Sequence, residues 1–568
     1  MKKIKLALSV LLMGFGFSSC NDFLTLMPLN DIVLENYWTN KDDVESVLLG
    51  AYASLESSDC LTRMSIWGEM RSDNITIGTS TPDDILQILR DNILSTNNYT
   101  QYKCFYEVIN NANTVLHFAP GVSKIDPNYT RGQLNADMAE AKAIRALAYW
   151  YLIRAYKDVP FVTEPSIDDT KDFFIGQTSF DSILNFLIAD MESITDQIKP
   201  KYLKELENTS RFTTAAIYAM LADMYLWKGD WENCVRCCEK VTRIKVDTDL
   251  KELMDKEGKA ITVTLFNDEY PLYKEEFQSQ NGNRVGNAYN MNFGAGNSFE
   301  ILFELPYDQK TNTDFISKYY SPKEVNGGYL KATNEAAKKA FTQEYDARYF
   351  ECIRSTSDEN YIVKYAYQDM ECNLSEGKSG VNLTNKRYFD YSPRESTHPN
   401  WIIYRYSDVL LMEAEAKTMQ AKELAVDYPD SADVTNYLKE AFKLVDAVNK
   451  RALGGYAVAA SEYLVESTYT ADVEKMEELV LDERRRELMF EGKRWFDLCR
   501  KSLRDGNTTY LWGKIEDKFD SNARSAVRIK MTDLDALFFP FYRDEIKINP
   551  LIKQNPVYVE DEFIQKAQ

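Results

Sequence analysis

Apolar residues recur at helical spacing in several long segments of the chain, and each segment predicts an α-helix. Residues 140–157, EAKAIRALAYWYLIRAYK, place small alanines where neighbouring helices approach closely and aromatic residues where gaps need filling. Residues 404–417, YRYSDVLLMEAEAK, have a similar pattern of alanines and larger apolar residues, and a second apolar helical pattern follows near residues 437–452. Much of the chain is therefore predicted to be helical.

Residues 213–244 predict two helices joined by a tight turn. Apolar positions run at helical spacing to Trp227, Gly229 supplies a left-handed turn, and Trp231 and Cys234 restart the apolar face. This pattern is typical of a tetratricopeptide-like helical hairpin. The three helical segments are irregularly spaced, so we expect hairpins separated by large insertions rather than a regular solenoid.

Residues 481–500, LDERRRELMFEGKRWFDLCR, combine an apolar stripe with many charges. Leu481, Leu488 and Trp495 follow one another at steps of seven, while acids and bases alternate at spacings of three and four. This arrangement predicts an amphipathic helix with ion pairs along its own surface. Gly492 predicts a kink, or a stop before a second short helix.

Residues 261–400 differ in composition from the helical segments, being rich in Asn, Gly, Tyr and Thr. Alternating runs at 300–307 (EILFELPY) and 361–367 (YIVKYAY) predict short strands among loops. The predicted fold is mainly α, with tetratricopeptide-like hairpins and a large loop-rich insertion. The helical scaffold spans roughly 20–260 and 401–568, and the insertion at 261–400 is where binding residues are expected.

The amino terminus has the pattern of a lipoprotein signal peptide over residues 1–19. Lysines at positions 2, 3 and 5 precede an apolar run at 6–17, and Ser18 and Ser19 then lead directly to Cys20. Small residues before a single cysteine predict cleavage there and attachment of lipid to Cys20. The alternative is an ordinary secretory signal followed by a chance cysteine.

Charge and composition exclude several functions. A net charge of −21 argues against binding to nucleic acid. Cys234, Cys237 and Cys238 cluster, but the only histidines, His117 and His398, are far from them in sequence, so we expect no metal site. Buried thiols and disulfides both stay open. The chain has no GxSxG, HExxH or Cys–His arrangement, so we predict neither catalytic residues nor a cofactor.

The wording ERRRELMFEGKRWFDLCR closely resembles the C-terminal signature of the SusD/RagB family. Further landmarks of that family follow in order over nearly the whole chain: YWTNKDDVESVLLGAYASL, YEVINNANTVL, AKAIRALAYWYLIRAYKDVPFV, EILFELPY, YRYSDVLLMEAEA and FPFYRDEIKINPLIKQNPVY. The last segment departs from the family pattern at Tyr542, where Pro is common, and at Val557, where Gly is common.

This resemblance implies a non-catalytic lipoprotein on the outer surface of the outer membrane. Such proteins capture a nutrient, most often an oligo- or polysaccharide and in some members a peptide. They act as a lid over a TonB-dependent barrel transporter of the SusC kind. Two other classes stay open from the residues alone, a secreted hydrolase and a surface scaffold for protein partners.

The predicted ligand-binding residues are aromatic and polar, because sugars stack on rings and hydrogen-bond through their hydroxyls. Trp67 and Tyr320 are the predicted stacking platforms, with Asp73 and Asn74 as hydrogen-bonding partners. Trp401 is predicted to lie in the core. The complete predicted set is Trp67, Arg71, Asp73, Asn74, Tyr289, Tyr307, Tyr319 and Tyr320.

Overall fold

The computed structural model describes residues 37–167, 174–252, 461 and 463–559. Between 269 and 453 it describes the chain except at 275, 278–282, 286, 308–314, 322–326, 344–345, 375, 378–379, 382–386 and 394–398. Residues 1–19 and Cys20 therefore lie outside the described residues, as does His398. No helix in the described part of the chain is long and apolar enough to cross a bilayer.

Helices dominate the described residues, as predicted. They are α1 (Lys41–Leu55), α2 (Ser58–Glu69), α3 (Asp83–Leu89), α4 (Lys103–Ile125), α5 (Arg131–Tyr156), α6 (Phe180–Glu192), α7 (Glu207–Ser210), α8 (Thr214–Lys228), α9 (Trp231–Ile244), α10 (Asn287–Tyr289), α11 (Phe315–Tyr319), α12 (Asn334–Lys338), α13 (Ala347–Cys352), α14 (Tyr406–Asp427), α15 (Ala432–Leu453), α16 (Glu466–Tyr469), α17 (Val473–Glu487), α18 (Arg494–Asp505), α19 (Thr509–Ile515), α20 (Ser521–Lys530) and α21 (Arg543–Ile548).

The strands are short, and most of them lie between residues 276 and 405. They are β1 (Ile75–Ile77), β2 (Val159–Pro160), β3 (Gln177–Thr178), β4 (Glu276–Phe277), β5 (Asn283–Val285), β6 (Ile301–Leu305), β7 (Leu330–Ala332), β8 (Ile353–Ser355), β9 (Asn360–Ile362), β10 (Tyr367–Leu374), β11 (Glu376–Gly377), β12 (Gly380–Val381), β13 (Arg387–Pro393) and β14 (Trp401–Arg405). All the pairings between the described strands are antiparallel, and the largest sheet that they form has the strand order β13–β10–β5–β4.

Helical hairpins form the scaffold. Helices α4 and α5 pack on each other, and α1 packs against both. Helix α8 packs on α9, and α9 also packs on α14. Helix α14 in turn packs on α15 and α17. The α8–α9 hairpin confirms the prediction. Helix α8 ends at Lys228 and is followed by Gly229, which has a φ of +77°, and the Asp230 side chain caps α9 by accepting from Asn233 N. Small buried residues such as Ala219 and Ala222 let α8 approach its neighbours closely.

The three clustered cysteines are buried free thiols. Cys234, Cys237 and Cys238 all lie on α9 with fully buried side chains, and none is in a disulfide. Burial raises the pKa of the Cys237 thiol to about 12, which keeps it protonated and unreactive. Of the two alternatives that the sequence left open, the structure selects buried thiols.

The predicted helix at residues 481–500 is interrupted. Helix α17 ends at Glu487, the backbone turns at Phe490 and Gly492 with φ of +65° and +72°, and α18 begins at Arg494. The predicted break before a second helix is confirmed, although α17 already ends at Glu487, before Gly492. Ion pairs along the helices are present between Glu483 and Arg486 and between Asp497 and Arg500, but the charges of this segment are buried and most of them also pair with other elements.

The loop-rich region contains the expected short strands, with one difference. The run at 361–367 does not form a single strand, because β9 ends at Ile362, Tyr365 takes a φ of +65° and β10 begins at Tyr367. Trp401 lies in β14 with 2% of its surface exposed, as predicted, and stacks on the Tyr365 ring at 5.0 Å. The insertion boundaries at 261 and 400 stay a prediction.

Candidate ligand-binding face

Trp67, the first predicted platform, lies in the core. Its ring stacks on Phe105 at 5.0 Å and meets the edge of Tyr156 at 5.3 Å. Its Nε1 donates a hydrogen bond to the Tyr99 carbonyl at 2.9 Å. A ring packed in this way has no open face for a sugar, so Trp67 supports the fold beneath Tyr99.

Arg71 and Asp73 each form buried ion pairs. Arg71 pairs with Asp91 at 2.7 Å, and its guanidinium lies over the Trp495 ring at 4.2 Å. Asp73 accepts from Arg494 at 2.9 Å, and Arg485 lies 3.2 Å from the same carboxylate. Although burial opposes ionisation, these two guanidiniums hold the pKa of Asp73 well below its usual range.

Asn74 and Glu69 join α2 to the turn between α17 and α18. Asn74 Nδ2 donates to Glu69 at 2.9 Å, and the Glu69 carboxylate also accepts from the backbone N–H groups of Phe490, Gly492 and Lys493 at 3.2–3.3 Å. Burial raises the pKa of Glu69 to about 7. One carboxyl group therefore satisfies the backbone of the turn.

The four predicted tyrosines are also buried. Tyr289, Tyr307, Tyr319 and Tyr320 expose 7% of their surface or less. The Tyr320 hydroxyl lies 3.3 Å from both Ser65 Oγ and the Phe490 carbonyl. Their rings pack within the core, so the free protein does not present them to solvent. Direct ligand contact by any of the eight predicted residues stays an untested prediction.

Three tyrosines instead form a partly exposed aromatic surface directly above this layer. We call Tyr99, Tyr319 and Tyr329 the tyrosine face. The hydroxyls of Tyr99 and Tyr319 share a hydrogen bond at 2.7 Å, and the Tyr319 and Tyr329 rings meet edge-on at 5.1 Å. Tyr99 and Tyr329 are half-buried, while Tyr319 is buried between them and Phe315.

The β1–β7 pair anchors Tyr329. Residues Ile75–Ile77 pair with Leu330–Ala332, and Gly78 N continues the contact by donating to the Tyr329 carbonyl at 2.9 Å. Thr81 Oγ1 donates to the same carbonyl at 2.7 Å. Ile77 exposes 40% of its surface beside this anchor. The position of Tyr329 is thus fixed by backbone contacts.

Amide and carboxylate groups border the tyrosine face at Tyr99. Asn98 Nδ2 donates to Asp84 at 2.7 Å, and Gln101 Nε2 donates to Asn98 Oδ1 at 3.3 Å. Asn98 is exposed, and Asp84 and Gln101 are partly exposed. Half-exposed rings beside amides and a carboxylate can stack on apolar C–H surfaces and exchange hydrogen bonds with hydroxyl groups.

Sequence reasoning missed Tyr99 and Tyr329, although a signal existed for one of them. Tyr99 lies in STNNYTQY, where an aromatic residue is surrounded by amide and hydroxyl side chains. Tyr329 follows two glycines and carries no comparable polar context. Of the predicted residues, Tyr319 belongs to the face, and Trp67 supports Tyr99 from below. No group of three or more metal-ligating side chains occurs among the described residues.

The mainly helical fold places the protein in the SusD-like class. The family model described as "SusD family" matches residues 275–558, and one described as "Starch-binding associating with outer membrane" matches residues 22–226. The chain belongs to the SusD/RagB family.

Relatives extend this similarity along the chain. SusD-like proteins P38 and P2 of Formosa agariphila are 23% and 24% identical, with 88% and 92% of this chain and 91% and 95% of theirs covered. A SusD superfamily crystal structure from Bacteroides vulgatus matches with a TM-score of 0.64 at 17% identity, covering 92% of this chain and all of that one. The structural similarity to the Bacteroides vulgatus protein supports the assignment of the fold.

Proposed function

We propose that this protein is a non-catalytic glycan-binding lipoprotein of the outer cell surface. The observation that carries the proposal is the tyrosine face, with two half-exposed rings beside Asn98, Gln101 and Asp84. Pyranose rings present C–H faces that stack on aromatic rings, and their hydroxyls pair with amides and carboxylates. The family membership and the outer-membrane description of the amino-terminal family model support the same function.

The proposal includes an anchor and a partner. Cys20 carries the lipid that holds the protein at the outer membrane, and a SusC-like TonB-dependent barrel receives the captured glycan. A face that is open to solvent and built from two partly buried rings favours modest affinity and rapid release. Both properties suit transfer of a ligand to a transporter.

The test removes the two half-exposed rings together. We expect the Tyr99→Ala/Tyr329→Ala variant to bind its glycan at least tenfold more weakly, since each stacked ring contributes about 1 kcal/mol beyond the area it buries. Isothermal titration calorimetry with maltooligosaccharides, followed by a panel of other oligosaccharides, gives the affinity. Chromatography of the same incubations should show no new products.

Tyr428 provides the matched control, because it is 64% exposed at the end of α14. The Tyr428→Ala variant should bind like the wild-type protein. Undiminished glycan binding by a double variant with normal circular dichroism would place the site elsewhere. Product formation that a single carboxylate substitution abolishes would identify a hydrolase instead.

A further inference from the structure

A groove of about 750 Å³ lies between the start of α4, residues 160–166 and the carboxyl-terminal α21. Its size falls within the range of sites that hold small organic ligands. The Trp67 core separates it from the tyrosine face. Trp67 donates to the Tyr99 carbonyl on one side, and on the other side Tyr156 contacts both the Trp67 ring and the ring of the groove residue Tyr102. The groove is therefore distinct from the proposed glycan site.

The walls of the groove are largely apolar. Tyr106 and Phe161 contribute aromatic rings, and Ile548 also lines the groove with 69% of its surface exposed. The polar atoms there are mostly engaged, since Tyr106 Oη donates to the Pro160 carbonyl at 2.6 Å and Asn549 Nδ2 donates to the Ile175 carbonyl at 2.8 Å. These walls favour a ligand with an aromatic or branched aliphatic body.

Two polar side chains in the groove lack partners. Tyr102 is 95% buried, its surface being 5% exposed, yet its hydroxyl has no hydrogen-bond partner among the described residues. The half-buried Glu545 carboxylate likewise has no ion-pair or hydrogen-bond partner in the described part of the chain. Its negative charge therefore lacks a compensating cation among the described residues, and burial together with the neighbouring Asp544 raises the pKa of Glu545.

The remaining charges of the groove do not neutralise Glu545. Glu164 adds a second acid and lies 3.7 Å from His117. Lys103, which is mostly exposed, pairs with Glu107 at 3.3 Å. An uncompensated carboxylate at the edge of apolar walls favours a cation that can donate hydrogen bonds to it.

We propose that this groove binds a small apolar amine. The aromatic or aliphatic body of the amine lies against Tyr106 and Phe161, and its ammonium group donates to the Glu545 carboxylate and to Tyr102 Oη. Charge also argues against occupation by the chain's own residues 20–36, which carry Asp22, Asp31 and Glu35 and no basic residue. The proposal concerns a second site and does not depend on glycan binding.

Three probes with one indole body but different head groups test the proposal. Tryptamine carries an ammonium group, tryptophol a hydroxyl and indole-3-acetate a carboxylate. Calorimetry with the full chain should show tryptamine binding at least tenfold more tightly than tryptophol, with indole-3-acetate weakest. Glu545→Gln should lower tryptamine affinity about tenfold and leave tryptophol affinity unchanged, which also shows that the groove is intact.

Asp544→Asn is the matched control, because Asp544 is the exposed neighbour of Glu545 and pairs with Lys547 at 2.8 Å. It should leave tryptamine affinity unchanged. Equal binding of the three probes, no measurable binding of tryptamine, or equal loss in both variants would overturn the proposal. Binding that appears only after deletion of residues 21–36 would assign the groove to that segment and also overturn it.

Discussion

Two regions of this protein contribute buried side chains to the core but are held together differently. The hairpin array, comprising α8, α9, α14 and α15, packs mainly through small and apolar side chains. The signature junction, comprising residues 69–74 and 484–494, contains carboxylates and guanidiniums that expose a few per cent of their surface or less. Apolar packing tolerates small shifts, whereas every buried charge requires its own partner in place.

Helix α14 contains two buried carboxylates, two residues apart, that differ in how well nearby cations compensate their charge. Glu415 accepts from Arg500 at 3.0 Å and from Arg504 at 2.9 Å, and these guanidiniums hold its pKa well below the usual range. Glu413 faces the array, where Lys417 lies 3.7 Å away, and burial raises its pKa to about 7. Burial of a carboxylate therefore stabilises the fold only where a close cation compensates for the lost water.

The largest expected effect comes from Asp73→Ala in the signature junction. This substitution leaves Arg494 buried without its carboxylate, and Arg485 loses one of its two acidic partners. Breaking a buried pair by removing one partner costs about 3–5 kcal/mol. Chemical denaturation should show that loss, whereas Asp247→Ala, which removes a pair between exposed side chains, should cost less than about 0.5 kcal/mol. Equal losses would contradict the comparison.

Gly68→Ala tests the backbone contact in the same junction. A Cβ at Gly68 would lie 1.8 Å from the Gly492 carbonyl oxygen, which is backbone and cannot rotate away. We expect a loss of about 3 kcal/mol in the free energy of unfolding. Gly50 is the control, since it lies in α1 with nothing within 4 Å of its Cβ position. Gly50→Ala should stabilise by up to about 1 kcal/mol, and a Gly68→Ala protein of equal stability would contradict the contact.

The smallest effect is a change in pH dependence at Glu413. Because its folded pKa is raised to about 7 from 4.5, its contribution to stability is present below pH 4.5 and is lost as pH rises through 7. Gln does not ionise, so Glu413→Gln should lessen the fall in Tm between pH 5 and 8. Glu415→Gln should instead lower Tm throughout this range without changing the slope. Parallel profiles for wild type and Glu413→Gln would contradict the assignment.

The sequence predicted the hairpin array closely, because helical periodicity and one glycine turn are local signals. Gly229 ends α8 and α9 begins at Trp231, as the pattern indicated. The signature junction shows the limit of such signals. Its alternating charges suggested pairs within one helix, but Arg485 reaches Asp73 and Arg494 reaches Asp73 from across the fold. Long-range partners cannot be inferred from spacing along a helix.

The candidate site shows the same limit. Aromatic residues beside polar groups were expected to contact ligand. In WGEMRSDN, however, the polar side chains bind partners inside the protein: Arg71 forms an ion pair with Asp91, and Asn74 donates a hydrogen bond to Glu69. The half-exposed rings come from Tyr99 and Tyr329, which are brought together through Tyr319. Composition indicated the kind of surface, whereas tertiary packing decided which rings form it.

The Glu69 contact also constrains the order of folding. Its backbone partners lie more than 420 residues further along the chain, and Asp73 and Arg494 are separated by 421 residues. During synthesis, α2 therefore emerges long before the groups that compensate its acids, and contacts of such sequence separation form slowly. The contacts of Glu69 and Asp73 with the carboxyl-terminal signature can form only after that segment has been synthesised. Release of the signature from the ribosome, rather than emergence of the first hairpins, is therefore the event that permits this junction to close.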